Sequence, residues 1–301
     1  MLAIVIPYFK KTFFENTLAS LAVQTRKDFK VYIGNDASPE DPEDIIAKYA
    51  SVLNISYTEF DENLGSRSLV KQWERCIALT GNEKWLMLLG DDDYLDPGCV
   101  EKFYENQSQV EKNKIRVIRF ASRLFWEDDH KKEIIFSHPK KQSATDAFYE
   151  VYFGNSRSSL SEYIFSKKAY QKSRFREIPL AWGSDNLAWL DFSEGGDIYS
   201  INEAVVHIRM SSENISRKSF EKSNKNLALY KTFKIIVNEY LYQFTPKQRK
   251  DILMRYEHYT MLGEKISWKY WFKMSRLILK EFNLIEVVKF TRRCSYYSLN
   301  L

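Results

Sequence analysis

Cysteine and histidine are scarce in this chain of 301 residues, at three and four copies. Cys76, Cys99 and Cys294 are scattered, with no Cys-x-x-Cys spacing and no even set to pair. That excludes a disulfide scaffold and a thiolate zinc module, and it points to a reducing, cytoplasmic setting in which the three thiols pack as small apolar residues. Long apolar runs are missing as well: nothing approaches the roughly 18 residues that a membrane span needs. The opening Met1-Leu2-Ala3-Ile4-Val5-Ile6-Pro7 lacks the basic start and cleavage region of a secretion signal, so it reads as a first strand. Seven prolines and ten glycines form no rich tract. There is therefore no low-complexity linker, and no internal repeat is visible.

What the chain does contain is a globular composition, 44% hydrophobic and 28% charged. Its length suits one large domain or a domain with an appendage. The net charge of +5 is unevenly spread. Residues 217–301 hold 18 Lys and Arg against 7 Asp and Glu, whereas the preceding 216 residues hold 27 against 33. An acidic body with a basic tail predicts that the tail meets something anionic, such as phospholipid or a pyrophosphate carrier. A nucleic-acid partner is not expected, because no recognised nucleic-acid fold is visible and the body is acidic.

Along the chain, apolar runs at 2–6, 29–33, 52–57 and 85–89 read as buried strands, with helical spacing at 13–24, 41–49 and 66–79 between them. Such alternation predicts an open, mostly parallel α/β sheet whose ligands bind beyond the carboxyl ends of its strands. Further on, the pattern predicts a helix from Pro97 to about Gln109 and β runs at 116–121 and 133–136. A helix at 144–153, a strand at 163–166, a helix at 186–192 and two strands at 198–201 and 204–208 follow. From about Ser219 the pattern is helical, broken at Thr245-Pro246 and near Gly263.

One strand end stands out. The run Leu86-Met87-Leu88-Leu89 stops at Gly90, and Asp91-Asp92-Asp93 follow before Tyr94-Leu95. Three adjacent like charges are unfavourable unless a cation or strong donors sit among them. A hard divalent ion accepts one or two protein carboxylates and fills its other positions with water and phosphate oxygens. The alternative is a solvated acidic turn capping the next helix, although Asp96 before Pro97 is the better placed N-cap.

The order of features over residues 2–97 resembles the family 2 glycosyltransferases. Ile4-Val5-Ile6-Pro7-Tyr8, Ser20-Leu21-Ala22-Val23-Gln24-Thr25, Asn35-Asp36-Ala37-Ser38, Asn63-Leu64-Gly65 and the acidic triplet fall in the family's sequence and spacing. The resemblance implies a GT-A fold with a Rossmann-like sheet, flanking helices and, here, a helical C-terminal appendage. It implies a catalytic domain over 1–216, with a nucleotide-sugar half to about 97 and an acceptor half beyond, and a basic helical region over 217–301.

Carried over by position, Asp36 accepts a hydrogen bond from the nucleotide base, Pro7 and Tyr8 line the base and ribose pocket, and Asp92 and Asp93 hold the metal. Gly90 stands where the family often has the ribose-directed aspartate, a role into which Asp91 can slide. Trp182-Gly183-Ser184-Asp185-Asn186 resembles the family's Glu-Asp pair, with Ser184 in place of Glu and Asp185 as the implied base. Helix capping is the rival reading for both residues. Val206–Ser216 resembles the family's Tyr-Arg-x-His segment. Arg209 is then implied near the diphosphate, Ser211 replaces the histidine, and His207 is read as structural.

The implied reaction transfers a sugar from a nucleotide-sugar, a UDP-sugar being expected, to a glycan or polyprenyl-linked acceptor. It is expected to proceed with inversion and to need Mg²⁺ or Mn²⁺, at the inner face of a membrane or in the cytoplasm. The basic and aromatic residues between Lys265 and Arg293 suit an anionic membrane surface, or else they pack as a helical appendage. Two rivals exist. A nucleotidyltransferase usually adds a Gly/Lys/Arg-rich loop after its first strand, and residues 7–12 (Pro-Tyr-Phe-Lys-Lys-Thr) contain no glycine. A non-catalytic glycan-binding scaffold is motivated by Gly90 and Ser211.

Overall fold

The computed structural model describes residues 1–154, 156–211, 222–263 and 266–299. The chain divides into two compact units. One comprises Met1–Glu177 with Ser184–Lys218, the other Ile178–Gly183 with Ser219–Leu301.

The first unit begins with strands and helices in alternation: β1 (Leu2–Tyr8), α1 (Phe14–Ala22), β2 (Phe29–Asn35), α2 (Glu43–Tyr49), β3 (Ile55–Glu59), α3 (Leu69–Ala78) and β4 (Trp85–Leu88). Residues 2–6 of β1 are fully buried, because a central parallel strand is covered on both faces and has no solvent side to alternate with. β1 pairs in parallel with β2, Tyr8 opposite Asn35, and with β4, Leu2 opposite Trp85. The carboxyl ends of these strands therefore stand side by side, and the acidic triplet leaves from one of them. α1 lays Phe14, Leu18 and Leu21 into the core beside Leu2, Ile4 and Ile6. Each such side chain contributes about 1.5–3 kcal/mol relative to exposure.

The chain continues through β5 (Tyr94–Leu95), α4 (Cys99–Glu105), α5 (Gln107–Lys112), β6 (Val117–Trp126), β7 (Asp129–Phe136), β8 (Lys141–Ser143), α6 (Ala144–Phe153), β9 (Tyr163–Ser166), α7 (Lys167–Ser173), α8 (Ser184–Ser193) and β10 (Asp197–Met210). The sheet order is β3-β2-β1-β4-β9-β6-β10-β5, with β7 on β6 and β8 on β10. β9 runs antiparallel to both β4 and β6, and β5 runs antiparallel to β10. A parallel nucleotide-binding-type half thus joins a mixed half, the α/β architecture expected.

Several local expectations are corrected. The two strands expected at 198–201 and 204–208 are one strand, whose register against β6 shifts between Ile201 and Val205. Asn202 and Glu203 are exposed at that bulge, which is why the apolar pattern looks interrupted. Asp96 does not cap a helix with its side chain. Its carboxylate accepts from the Val205 N–H and bonds His207 Nε2 at 2.7 Å, and the following helix starts only at Cys99. The helix expected from Pro97 to Gln109 is two short ones, α4 and α5, meeting at Asn106. The three cysteines are buried and unbonded.

The second unit is helical: α9 (Lys222–Ile235), a π-helical turn at Ile236–Tyr240, α10 (Pro246–Gly263), α11 (Trp268–Glu281) and α12 (Leu284–Leu299). Thr245 and Gln248 form reciprocal side-chain to backbone bonds at the start of α10, a capping box. Phe233, Ile252, Leu253, Met274, Phe290 and Cys294 are buried in this unit. Arg249 pairs with Glu281 at 2.7 Å, and Arg293 pairs with Glu257. Among the described residues, no helix is long and apolar enough to cross a membrane.

Candidate active site

β4 ends at Leu88, and its direction is continued by Leu89, whose N–H donates to the Val5 carbonyl at 2.9 Å. The chain then turns at Gly90. Its N–H donates to Ser161 Oγ at 3.0 Å. A Cβ at this position would lie 3.0 Å from Asp92 Oδ1 and 3.1 Å from Asp93 Oδ2. Glycine therefore leaves the space over which two carboxylates fold back, which is a local reason for the residue standing where the family often has aspartate.

The Asp91 and Asp93 carboxylates have different partners. Asp91 turns toward the loop after β1, where one oxygen accepts from the Phe9 and Lys10 N–H groups, each at 2.8 Å. Asp93 turns inward, and its oxygens accept from the Ser161 hydroxyl at 2.5 Å and from the Arg209 N–H at 3.0 Å. Asp92 lies between them, half-buried. Thr17 of α1 clamps the turn by donating to the Asp93 carbonyl at 2.8 Å and the Asp91 carbonyl at 3.2 Å. Burial pushes the Asp91 carboxyl up to about 7, with the Asp92 charge adding to the effect and the two N–H donors opposing it. Burial, then the Asp92 charge, likewise raises Asp93 well above the usual carboxylate range. At both Asp91 and Asp93 burial and the Asp92 charge outweigh the hydrogen-bond donors, so each carboxyl holds its proton more tightly than a solvated one.

This donor set fits one kind of metal. Among the described residues, no three His, Cys, Asp or Glu side chains come together as a metal-holding group. An ion here would have at most two of these side chains, Asp92 and Asp93 being the two expected, and would complete its shell with water and phosphate oxygens. That is the habit of Mg²⁺ and Mn²⁺, not of a closed zinc site. Asp93, expected beside Asp92 as a ligand, also accepts from Ser161 and from the Arg209 N–H on β10.

Asp36 leaves the end of β2 almost fully buried. Its two oxygens accept from the Leu64 and Gly65 N–H groups at 2.8 and 2.9 Å, and Arg75 of α3 pairs with it. A Cβ on Gly65 would sit 2.5 Å from Asp36 Oδ2, so the Asn63-Leu64-Gly65 turn approaches the carboxylate more closely than any larger residue allows. The Asx-type turn at this strand end belongs to Asn35, whose Oδ1 accepts from the Ser38 N–H at 2.9 Å. Arg75 lies over the Phe60 ring, 4.0 Å from its centroid. Pro7 is half-buried at the end of β1, while Tyr8 is wholly buried. The Tyr8 hydroxyl donates to the Glu40 carbonyl at 2.7 Å, and its ring packs on Phe14.

Asp185 stands in the first turn of α8, half-buried. Burial raises its carboxyl to about 6. The N–H groups of Asn186 and of Asp185 itself hold the shift back, Glu162 adds to it and Arg157 opposes it. A carboxyl in this range accepts a proton near neutral pH far better than a solvated one. Ser184, at the position of the family's glutamate, is fully buried, with no hydrogen-bond partner for its hydroxyl among the described residues.

Four residues of one segment, none of them singled out by the sequence, connect these parts. Ser159 and Glu162 close a capping box around one helical turn, and Glu162 is completely buried. Arg157 donates to Glu162 at 2.7 Å and to Ser122 at 3.1 Å, and its charge favours the ionised forms of both Asp93 and Asp185. Ser161, in the same turn, reaches Asp93 and Gly90. The 157–162 segment therefore ties the triplet to the surroundings of Asp185. Only the Ser-x-x-Glu spacing could have flagged it.

Arg209 on β10 completes the cluster. Its Nε donates to the Asp92 carbonyl at 2.9 Å, its guanidinium pairs with Glu127, and it lies 4.1 Å from the Phe13 ring centroid. His207, two residues earlier, stacks on Tyr94 with ring centroids 4.3 Å apart. The resembling segment beyond Ser211 lies outside the described residues, as does Lys265.

A parallel sheet half with carboxylates at its strand ends, joined to a mixed half carrying a further carboxylate, is the arrangement of a GT-A glycosyltransferase. Residues 3–184 match the family model described as Glycosyl transferase family 2, and the chain belongs to that family. The match stops one residue short of Asp185. Among solved structures the fold is similar to S. aureus TarS 1-349 in complex with UDP-GlcNAc. The TM-score is 0.62 at 13% identity, covering 92% of this chain and 80% of that one. TarS 1-349 without that ligand gives 0.59 at 12% identity, covering 93% and 80%. A longer TarS structure gives 0.59 at 12% identity over 93% of this chain, which spans about half its length, 48%. No curated protein matches.

Proposed function

We propose that this glycosyltransferase moves a sugar from a nucleoside diphosphate donor to a hydroxyl of a glycan or lipid-linked acceptor. Transfer occurs by one displacement with inversion and depends on a divalent cation. The observation that carries the reading is a cluster of three carboxylates at the strand end, residues 91–93, together with a carboxyl at Asp185 whose proton affinity is raised toward neutrality. The 157–162 turn joins the two. Uridine is the expected base, by analogy with the UDP-GlcNAc bound to TarS.

In this reading Asp36 and the Asn63-Leu64-Gly65 turn receive the base, beside Pro7 and above the buried Tyr8. Asp91, anchored to the β1 loop, faces the ribose. Asp92 holds the cation, and Asp93 fixes its neighbour's position. Bound Mg²⁺ or Mn²⁺ supplies charge neutralisation on the leaving diphosphate. Arg209 adds positive charge on the same side, with the diphosphate competing against Glu127 for its guanidinium. Asp185 takes the proton of the acceptor hydroxyl as that oxygen attacks the anomeric carbon from the face opposite the leaving group.

Nucleoside diphosphate release from a panel of nucleotide-sugars, with and without Mn²⁺, tests the proposal. A UDP-sugar should be turned over only with the cation, and Asp92→Asn and Asp185→Asn should each lose most of that turnover. Metal-independent release, or near wild-type turnover in either variant, would overturn the corresponding assignment.

A further inference from the structure

The α11–α12 pair carries exposed apolar side chains that nothing among the described residues of its own unit covers. Met274 and Ile278 of α11 and Phe290 and Cys294 of α12 point inward, and Tyr270 meets Phe290 with ring centroids 6.1 Å apart. The opposite side is not polar, as an ordinary surface helix would be. Trp268 is 74% exposed and Phe272 70%, and Leu279 is also exposed. At 3.6 residues per turn these three fall within about 40° of one another around α11. On α12, Leu284, Ile285, Val288 and Tyr296 are exposed as well.

The charges around this face have one sign. Lys269, Arg276 and Lys280 on α11 and Lys289 and Arg292 on α12 are exposed. The only acids of the two helices are withdrawn: Glu281 is buried against Arg249, and Glu286 is paired with Lys289 at 2.7 Å. Exposed aromatic and aliphatic side chains interleaved with Lys and Arg, on helices unable to cross a membrane, form the pattern of an interfacial helix on anionic lipid. A second copy of the chain fits the face poorly, since like charges would meet. Nucleic acid would leave Leu279, Leu284, Ile285 and Val288 without a role.

We propose that α11 and α12 form an in-plane membrane-docking surface for anionic phospholipid. Trp268, Phe272, Leu279 and Val288 enter the headgroup boundary, and the basic residues contact lipid phosphates. Docking is a property of this unit and does not depend on the transfer chemistry.

The test is flotation of the whole protein with vesicles of phosphatidylcholine alone or mixed with phosphatidylglycerol. The wild type should float with the mixed vesicles only, and should be released as salt is raised. Trp268→Ser with Phe272→Ser, and separately Lys269→Glu with Arg276→Glu, should each weaken partitioning about tenfold or more. Nucleoside diphosphate release measured without vesicles should be unchanged. All four positions are exposed, so circular dichroism and the melting temperature should stay at wild-type values and separate docking from folding. Failure to float with anionic vesicles would overturn the proposal. So would equal flotation with neutral ones, a self-association in solution abolished by the same substitutions, or binding of a random oligonucleotide in place of vesicles.

Discussion

The Ser161 hydroxyl donates to Asp93 at 2.5 Å while accepting from the Gly90 N–H at 3.0 Å, so one side chain from the turn before β9 fixes two residues of the acidic strand end. Ser161→Ala would take this partner from the half-buried Gly90 N–H and from the buried Asp93 Oδ2. The expected cost is about 1–3 kcal/mol of stability per unsatisfied buried group. It should be measurable by urea unfolding, together with a weaker dependence of turnover on added Mn²⁺ because Asp92 is no longer held in place.

Asp92 itself predicts effects of opposite sign on stability and function. Its charge raises the proton affinity of both Asp91 and Asp93. Asp92→Asn should therefore stabilise the metal-free protein by an amount on the order of 1 kcal/mol, seen as a higher melting temperature. It should also remove the stabilisation that Mn²⁺ gives the wild type. A lower metal-free melting temperature would show that the carboxylate makes contacts worth more than the repulsion it causes.

The same shift sets a pH dependence. Asp91 titrates near 7 when folded but near 3.9 when unfolded, so the folded state binds this proton more tightly. Its contribution to stability is present below about pH 4 and is lost as the pH rises through about 7. Metal-free melting temperatures should accordingly fall between pH 5 and 8 (on the order of a few degrees), and less so in Asp91→Asn.

For the reaction, a base near 6 gives the converse limb. Turnover should decline as the pH drops below about 6, when Asp185 becomes protonated. Asp185→Asn should abolish that limb together with the transfer, while calorimetric binding of UDP is retained.

Glu162 offers a structural check on the link between the two acidic regions. It is fully buried and pairs with Arg157 at 2.7 Å. Glu162→Ala should destabilise the protein by about 3–5 kcal/mol, because it leaves an uncompensated guanidinium. Adding Arg157→Met should restore part of that loss without restoring turnover.

Much of the fold was legible because it rests on local chemistry. Residues 2–6 had to form a covered strand, since five apolar residues in a row have no solvent face. The strand at Tyr163–Ser166 and the helix at Ala144–Phe153 carried their own patterns in the same way. The bulged β10 was not legible as one strand, because its exposed Asn202-Glu203 looks like a turn until β6 is seen to pair across it. Asp96 before Pro97 looked like a cap, and only the approach of Val205 and His207 drew its carboxylate elsewhere.

The sequence by itself determined the alternating α/β order, the three consecutive carboxylates after an apolar strand and the positive charge of the C-terminal region, because each is a matter of residue type and near-neighbour spacing. Tertiary structure alone decided that Asp91 and Asp93 take different partners, that Asp36 is shared with Arg75 and the Gly65 turn, and that Arg157, Ser161 and Glu162 join the triplet to Asp185. It also decided which side of α11 and α12 is left uncovered. Those outcomes depend on which distant segments meet. Burial, charge and hydrogen bonds between residues as distant in sequence as Asp93 and Arg209, 116 positions apart, set the proton affinities of the site.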